Sequence, residues 1–130
     1  MSISILVVDD ETDVAELFKR KFRRELRDAD YVMHFAYSGE EAINMLDAEI
    51  EPKVMLVLSD INMPGMSGIE LLRDTKKQWP DLPVAMITAY GDPESRQKAH
   101  DAGAADFLTK PIDFVELKAK IAGLLQETGD

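Results

Sequence analysis

Five short apolar runs, separated by five longer segments of helical character, constrain the fold of this chain more than any other feature. The runs are Ile3–Val8, Tyr31–Ala36, Val54–Ser59, Val84–Thr88 and Ala105–Thr109. The first, third and fourth are almost unbroken in Val, Ile, Leu, Ala and Met. Strands covered by helices on both faces have this composition, because neither face meets water. Tyr31, Met33 and Phe35 instead alternate with smaller or polar residues, which places the second run nearer a sheet edge.

The segments between the runs carry helix punctuation. Val14, Phe18, Phe22 and Leu26 recur every four residues and give the first helix an apolar stripe. Ser38-Gly39-Glu40-Glu41, Ser67-Gly68-Ile69-Glu70 and Asp113-Phe114-Val115-Glu116 each have the form of a capping box. Asp92-Pro93 suits an N-cap followed by proline in the first turn, and Gly103 suits the end of that fourth helix. Strand and helix in strict alternation predict an α/β fold, a parallel sheet with helices on both faces. With no internal repeat, low-complexity tract or linker, residues 1–130 are expected to form a single domain. The fourth helical segment, Pro93–Ala102, has only Ala99 and Ala102 as aliphatic residues, so it buries little area and is held weakly. It reads equally as a switch surface and as a thinly packed edge helix.

Charge narrows the function. Acidic residues number 25 against 15 basic, a net charge of −10. A field of that sign repels nucleic acid phosphates and anionic membranes, so neither is an expected partner. No apolar run approaches the roughly 20 residues that cross a bilayer, and a cytoplasmic location is expected. The lack of cysteine excludes disulfides, thiol catalysis and thiolate metal sites.

In an open parallel sheet, ligands sit beyond the carboxyl ends of the strands. The first strand ends in Asp9-Asp10, the third in Asp60, the fourth in Thr88 and the fifth in Lys110. Singly, each has an ordinary structural reading: an N-cap, a turn former, a β-branched strand residue, a solvated strand end. Together they converge on one crevice. Two carboxylates 4 Å apart repel by about 1 kcal/mol in water and about 4 kcal/mol at an effective dielectric of 20, so three of them call for a cation. All-oxygen ligands favour Mg²⁺, with Mn²⁺ the alternative. Lys110 adds a point charge suited to phosphate and Thr88 a neutral hydroxyl. A metal, an ammonium and a hydroxyl around one carboxylate describe phosphoryl transfer, with that carboxylate as nucleophile.

The assembled residues resemble the receiver domain of a two-component response regulator, in its single-domain, chemotaxis-regulator-like form. The resemblance rests on four blocks in order: Asp9-Asp10, the stretch Asp60-Ile61-Asn62-Met63-Pro64-Gly65-Met66-Ser67-Gly68, Thr88-Ala89-Tyr90, and Ala102 to Pro111. It implies a flavodoxin-like, doubly wound five-stranded sheet of order 2-1-3-4-5. It also implies that Asp60 accepts a phosphoryl group from a phosphohistidine of a sensor kinase or a histidine phosphotransfer protein. Asp9, Asp10, Asp60 and the backbone carbonyl of Asn62 would hold Mg²⁺, and Thr88 and Lys110 would bind the phosphoryl oxygens. Thr88 and Tyr90 would form a switch altering the face of the fourth helix, fifth strand and fifth helix, where a downstream protein effector binds. The resemblance implies a protein that promotes its own phosphorylation and dephosphorylation without turning over an external substrate. A cis Lys110-Pro111 bond is implied by the resemblance alone. Ser67 departs from the Asp or Asn usual before that glycine, but serine still caps a helix.

Other features have quieter readings. Arg20, Arg23, Arg24 and Arg27 lie opposite the apolar stripe of the first helix and read as a solvated face or a contact surface for the phosphodonor. His34 and His100 have no metal-ligand spacing. Met63 and Met66 are expected to shape the loop beside Asp60, and Trp79 before Pro80 to end a helix. Two other function classes fit the fold. A phosphatase of the haloacid dehalogenase type would need an aspartate where Asn62 stands, and a nucleotide or flavin binder would need a glycine-rich loop where Asp9-Asp10-Glu11 stands.

Overall fold

The computed structural model describes residues 2–89 and 92–128, with side chains through residue 125. Its strands are β1 (Ile3–Val8), β2 (Tyr31–Ala36), β3 (Val54–Asp60), β4 (Val84–Thr88) and β5 (Asp106–Thr109). The helices are α1 (Thr12–Lys21), α2 (Arg23–Arg27), α3 (Gly39–Asp47), α4 (Gly68–Gln78), α5 (Pro93–Asp101) and α6 (Phe114–Thr128). The strands form one parallel sheet of order β2-β1-β3-β4-β5, as the alternation and the resemblance imply. The strand with the alternating pattern, β2, is an edge.

Alternation along the buried strands divides the core in two. Leu6, Val8, Val57 and Met86 point to the face covered by α3, α4 and α5, meeting Ala42, Leu46, Leu71, Leu72 and Ala99. Ile5, Val7, Leu56, Leu58, Ala85 and Ile87 point to the other face, against Phe18 of α1, Phe22, and Leu117 and Ile121 of α6. Phe18 also meets the Phe114 ring edge-on, with centroids 5.2 Å apart.

The expected first helix is two elements. Phe22, at φ −104° and ψ 19°, separates α1 from α2. The amide of Phe22 still donates to Phe18 and that of Leu26 to Phe22, both at 2.9 Å, so the apolar stripe keeps its phase across the break.

The caps form where the sequence puts them, with variations. Ser67 and Glu70 make a full capping box at α4. Ser38 accepts from the Glu41 amide, but the Glu41 carboxylate reaches back to the amide of Tyr37 rather than that of Ser38. Asp113 accepts from the amides of Val115 and Glu116, and Asp92 from that of Ser95. Gly103 ends α5 at φ +97°, a conformation that suits glycine. The Lys110-Pro111 bond is cis, and so is Glu51-Pro52. As its alanine-only face predicts, α5 buries just Ala99. Arg96 adds a stacking contact, its guanidinium 4.9 Å from the centre of the Phe107 ring on β5.

Candidate functional site

Every strand named for the site delivers its residue to the same rim. Asp9 leaves β1 while its amide still donates to Ala36 at 3.1 Å, and its Oδ1 accepts from the amide of Glu11 at 2.9 Å, which fixes the carboxylate. Asp60 is the last residue of β3, and the ladder to β4 runs one residue further through Ile61 N to Ile87 O. Lys110 follows β5, its amide donating to Thr88 O at 2.8 Å. Asp9 is 3% exposed and Asp60 5%, whereas Asp10 is open to solvent.

The carboxylates of Asp9, Asp10 and Asp60 each offer an oxygen within 4.8 Å of the others. Lys110 Nζ lies 3.0 Å from Asp60 Oδ2 and 3.7 Å from Asp9 Oδ2. Three carboxylates against one ammonium leave two negative charges in the cluster. Oδ2 of Asp9 is buried without a hydrogen-bond partner. Burial pushes the Asp9 carboxyl above its ordinary range and the charge of Asp60 adds to that, while the Glu11 amide and Lys110 oppose it. Burial alone would lower the Lys110 ammonium, but its hydrogen bond to Asp60 and the charges of Asp60, Asp9 and Glu11 outweigh it and raise the pKa. A divalent ion would neutralise the residual charge and satisfy the orphaned oxygen, and hard oxygen donors suit such an ion. The residues present therefore fit a metal of this class.

The loop after Asp60 is held by backbone packing. Gly68 donates to Ile61 O at 2.8 Å. A Cβ at Gly68 would strike the carbonyl oxygen of Asp60 and come within 2.7 Å of the Ile61 Cα. Asn62 is exposed at the start of this loop, and Met63 is buried beneath it. The loop's far end is clamped by Glu40 of α3, whose Oε2 accepts from Met66 N at 3.2 Å.

Thr88 reaches the rim but is turned aside. Its hydroxyl is buried and donates to Leu108 O on β5 at 3.3 Å. Tyr90 lies outside the described residues. The histidines stay out of the cluster: His34 sits on β2 with its Nε2 buried and unpartnered, and His100 is exposed beside Asp101.

Two residues of this region escaped the sequence reading. Phe107 joins β5 to α5 through Arg96; an aromatic in an apolar run looks like core, and only the pattern of an Arg-bearing, alanine-faced helix preceding it hints otherwise. Glu40 lies inside the Ser38 to Glu41 capping box without being one of its capping pair, and its contact with a loop 26 residues away leaves no local signal.

Comparison with known proteins gives a consistent picture. The family model described as response regulator receiver domain matches residues 5–122. Response regulator RppA of Synechocystis is 38% identical over 120 residues, 92% of this chain and 49% of RppA. Response regulator MprA of Mycobacterium tuberculosis H37Rv is 36% identical over 128 residues, 98% of this chain and 53% of MprA. The chain thus spans about half the length of these curated relatives. A receiver domain protein from Clostridium thermocellum superposes with a TM-score of 0.85 at 27% identity, covering 96% of this chain and 95% of its own. A CheY-like receiver domain protein from Methanospirillum hungatei gives 0.83 at 31% identity, with 98% and 97% covered.

Proposed function

Because the chain belongs to the response regulator receiver domains, the phosphoaccepting modules of two-component signalling, we propose that Asp60 is its phosphoacceptor and that Asp9, Asp10, Asp60 and the Asn62 carbonyl hold Mg²⁺ beside it. One observation carries the reading. The only ammonium in contact with Asp60 among the described residues touches the buried carboxylate of Asp9 as well, and the cluster still holds two uncompensated charges. Mg²⁺ when bound supplies the charge that lets a phosphoryl group approach a nest of acids.

The chemistry at Asp60 is a displacement. A carboxylate oxygen attacks phosphorus while the P–N bond to the donor histidine breaks, and the departing imidazole nitrogen keeps the bonding pair. Lys110 is placed to leave its ion pair with Asp60 for a phosphoryl oxygen, retaining one favourable contact throughout. Thr88 would exchange its weak 3.3 Å bond to Leu108 O for a second phosphoryl oxygen. That exchange frees the carbonyl of the residue after Phe107, and with it the seam where Arg96 of α5 rests on that ring. The face formed by α5, β5 and α6 is then the output surface, for an effector protein, and the donor is a sensor histidine kinase or a histidine phosphotransfer protein. Tyr90, two residues after Thr88 in sequence, would take part in the same switch.

The direct test uses acetyl phosphate. With Mg²⁺, intact-mass measurement should show one added phosphoryl group, which should not form when Mg²⁺ is chelated beforehand or in Asp60→Asn. Labelling of Asp60→Asn at the parent rate would refute the assignment. Continuous release of phosphate from a generic phosphomonoester would point to the phosphatase class instead.

A further inference from the structure

The loop between β3 and α4 carries the Asn62 carbonyl assigned to the metal, and Asn62 itself is exposed. The position of that carbonyl therefore depends on how the rest of the loop is tied down. Its base is closed by Gly68 N donating to Ile61 O at 2.8 Å, and Met63 is sunk into the core on the α4 side of the sheet. The tip, Gly65-Met66, is held from a different element.

That element is the first turn of α3. Glu40 Oε2 accepts from the Met66 amide at 3.2 Å. Gly65 stands at φ +73°, a left-handed conformation that suits glycine, and a Cβ there would lie 3.2 Å from the same Oε2. A Cβ on Gly39 would lie 2.8 Å from Met66 Sδ, so the Met66 side chain rests on α3 while its amide is bound by the next residue of the same helix. Glu41 offers a contrast one position along. It carries the same charge, but its Oε1 accepts from the Tyr37 amide at 3.1 Å, within the helix cap. Glu40 spends its carboxylate on the loop and Glu41 on the cap. Nor does Glu40 belong to the acids gathered at the rim, which are Asp9, Asp10 and Asp60.

Resting on the assignment of Asp60 and its metal, we propose that Glu40 is a positioning residue for the ion. By holding the Met66 amide it fixes the loop tip, and through the tip the Asn62 carbonyl, without touching the metal. A carboxylate accepting from an amide makes a charge-assisted bond, yet one open to water contributes only modestly. A freed tip spends part of its time with the carbonyl aimed elsewhere, and metal affinity falls by the fraction of loops so lost. Once the ion is saturating the carbonyl is in place, so transfer itself proceeds as before. Glu40 thus sets how much metal is needed rather than how fast the loaded site reacts. The bond, not the charge, does this, so glutamine should replace glutamate because its carbonyl oxygen can accept from the same amide.

The test compares the parent with Glu40→Ala, Glu40→Gln and Glu41→Ala, all with the parent circular dichroism. Without metal, hydrogen exchange at the Met66 amide, followed by NMR, should quicken about threefold to tenfold in Glu40→Ala. Calorimetry should show the Kd for Mg²⁺ rising by about the same factor, threefold to tenfold. The Mg²⁺ concentration for half-maximal acetyl phosphate labelling should rise with it, while the rate at saturating Mg²⁺ stays within about twofold of the parent. Glu40→Gln and Glu41→Ala should stay within about twofold of the parent in all three, although Glu41→Ala should melt at a lower temperature through loss of its cap contact. Unchanged Mg²⁺ affinity in Glu40→Ala, equal weakening in Glu40→Gln or Glu41→Ala, or a fall confined to the saturated rate would overturn the proposal. A parent that binds no Mg²⁺, or labelling of Asp60→Asn at the parent rate, would overturn the site and this inference together, so the two failures are distinct.

Discussion

At the scale of single residues, the site is a problem of charge. Lys110 opposes the repulsion between Asp9 and Asp60, yet it also competes with any cation for the same oxygens, at 3.0 and 3.7 Å. Lys110→Met should therefore move two measurements in opposite directions. Mg²⁺ affinity by calorimetry should rise several-fold, because a full positive charge about 4 Å away is gone. The acetyl phosphate labelling rate should fall by about tenfold or more, because a charge on the phosphoryl oxygens is lost. A parallel fall in both would mean that Lys110 only supports the loop. His34 tests a different residue property. Burial holds its pKa below the ordinary 6.5, so the unfolded chain takes up the proton first and stability falls as pH drops through that value. Between about pH 7.5 and about pH 5.5 the parent should lose urea resistance that His34→Leu retains. Identical pH profiles would show that the imidazole is solvated in the native state.

At the scale of elements, two glycines separate what holds the site from what merely tolerates a hydrogen. Gly68 lets the first turn of α4 lie on the backbone of Asp60 and Ile61. Gly68→Ala should cost about 1–3 kcal/mol by chemical denaturation, and weaken Mg²⁺ binding because the Asp60 backbone must shift. Gly123 in α6 has open space where a Cβ would go, so Gly123→Ala should stabilise by up to about 1 kcal/mol through helix propensity alone. If both substitutions proved neutral, the close packing at Asp60 would not constrain the loop. Elements were also where sequence spoke most clearly. β1, β2 and β4 were legible to the residue, because a strand buried on both faces is marked by an unbroken apolar run, and β2 as an edge by its alternation. The strand ends Asp9, Asp10, Asp60 and Lys110 followed from that framework and the convergence of charge. The break at Phe22 was not legible, since the stripe Val14, Phe18, Phe22, Leu26 continues in phase through it. Nor was the direction of the Thr88 hydroxyl: a β-branched residue at a strand end says where the side chain begins, and the choice between Leu108 O and the crevice depends on β5, twenty residues away. The contact of Arg96 with Phe107 escaped for the same reason, although the weak anchoring of α5 was evident from its alanines.

At the scale of the whole molecule, the rim cluster ties folding to its ligand. Folding drives Asp9 and Asp60 together, nearly dry, with two negative charges left over, and the net charge of −10 adds a diffuse repulsion. A cation that binds only the folded rim stabilises the entire domain by RT ln(1 + [L]/Kd), about 2.7 kcal/mol at a hundredfold excess over Kd. For a domain of this size that corresponds to a rise in melting temperature of roughly 8 °C. Monovalent salt at the same ionic strength screens the diffuse charge but cannot satisfy Oδ2 of Asp9, so it should give only a small part of the shift. In Asp9→Asn, Mg²⁺ should lose most of its advantage over sodium, because the residual charge is reduced and the remaining acids include the exposed Asp10. Calorimetric melts of parent and variant in matched Mg²⁺ and Na⁺ solutions decide the point. Equal shifts from the two salts in the parent would mean that the molecule responds to ionic strength as a whole, and that the crowding of its acids is not resolved at one place.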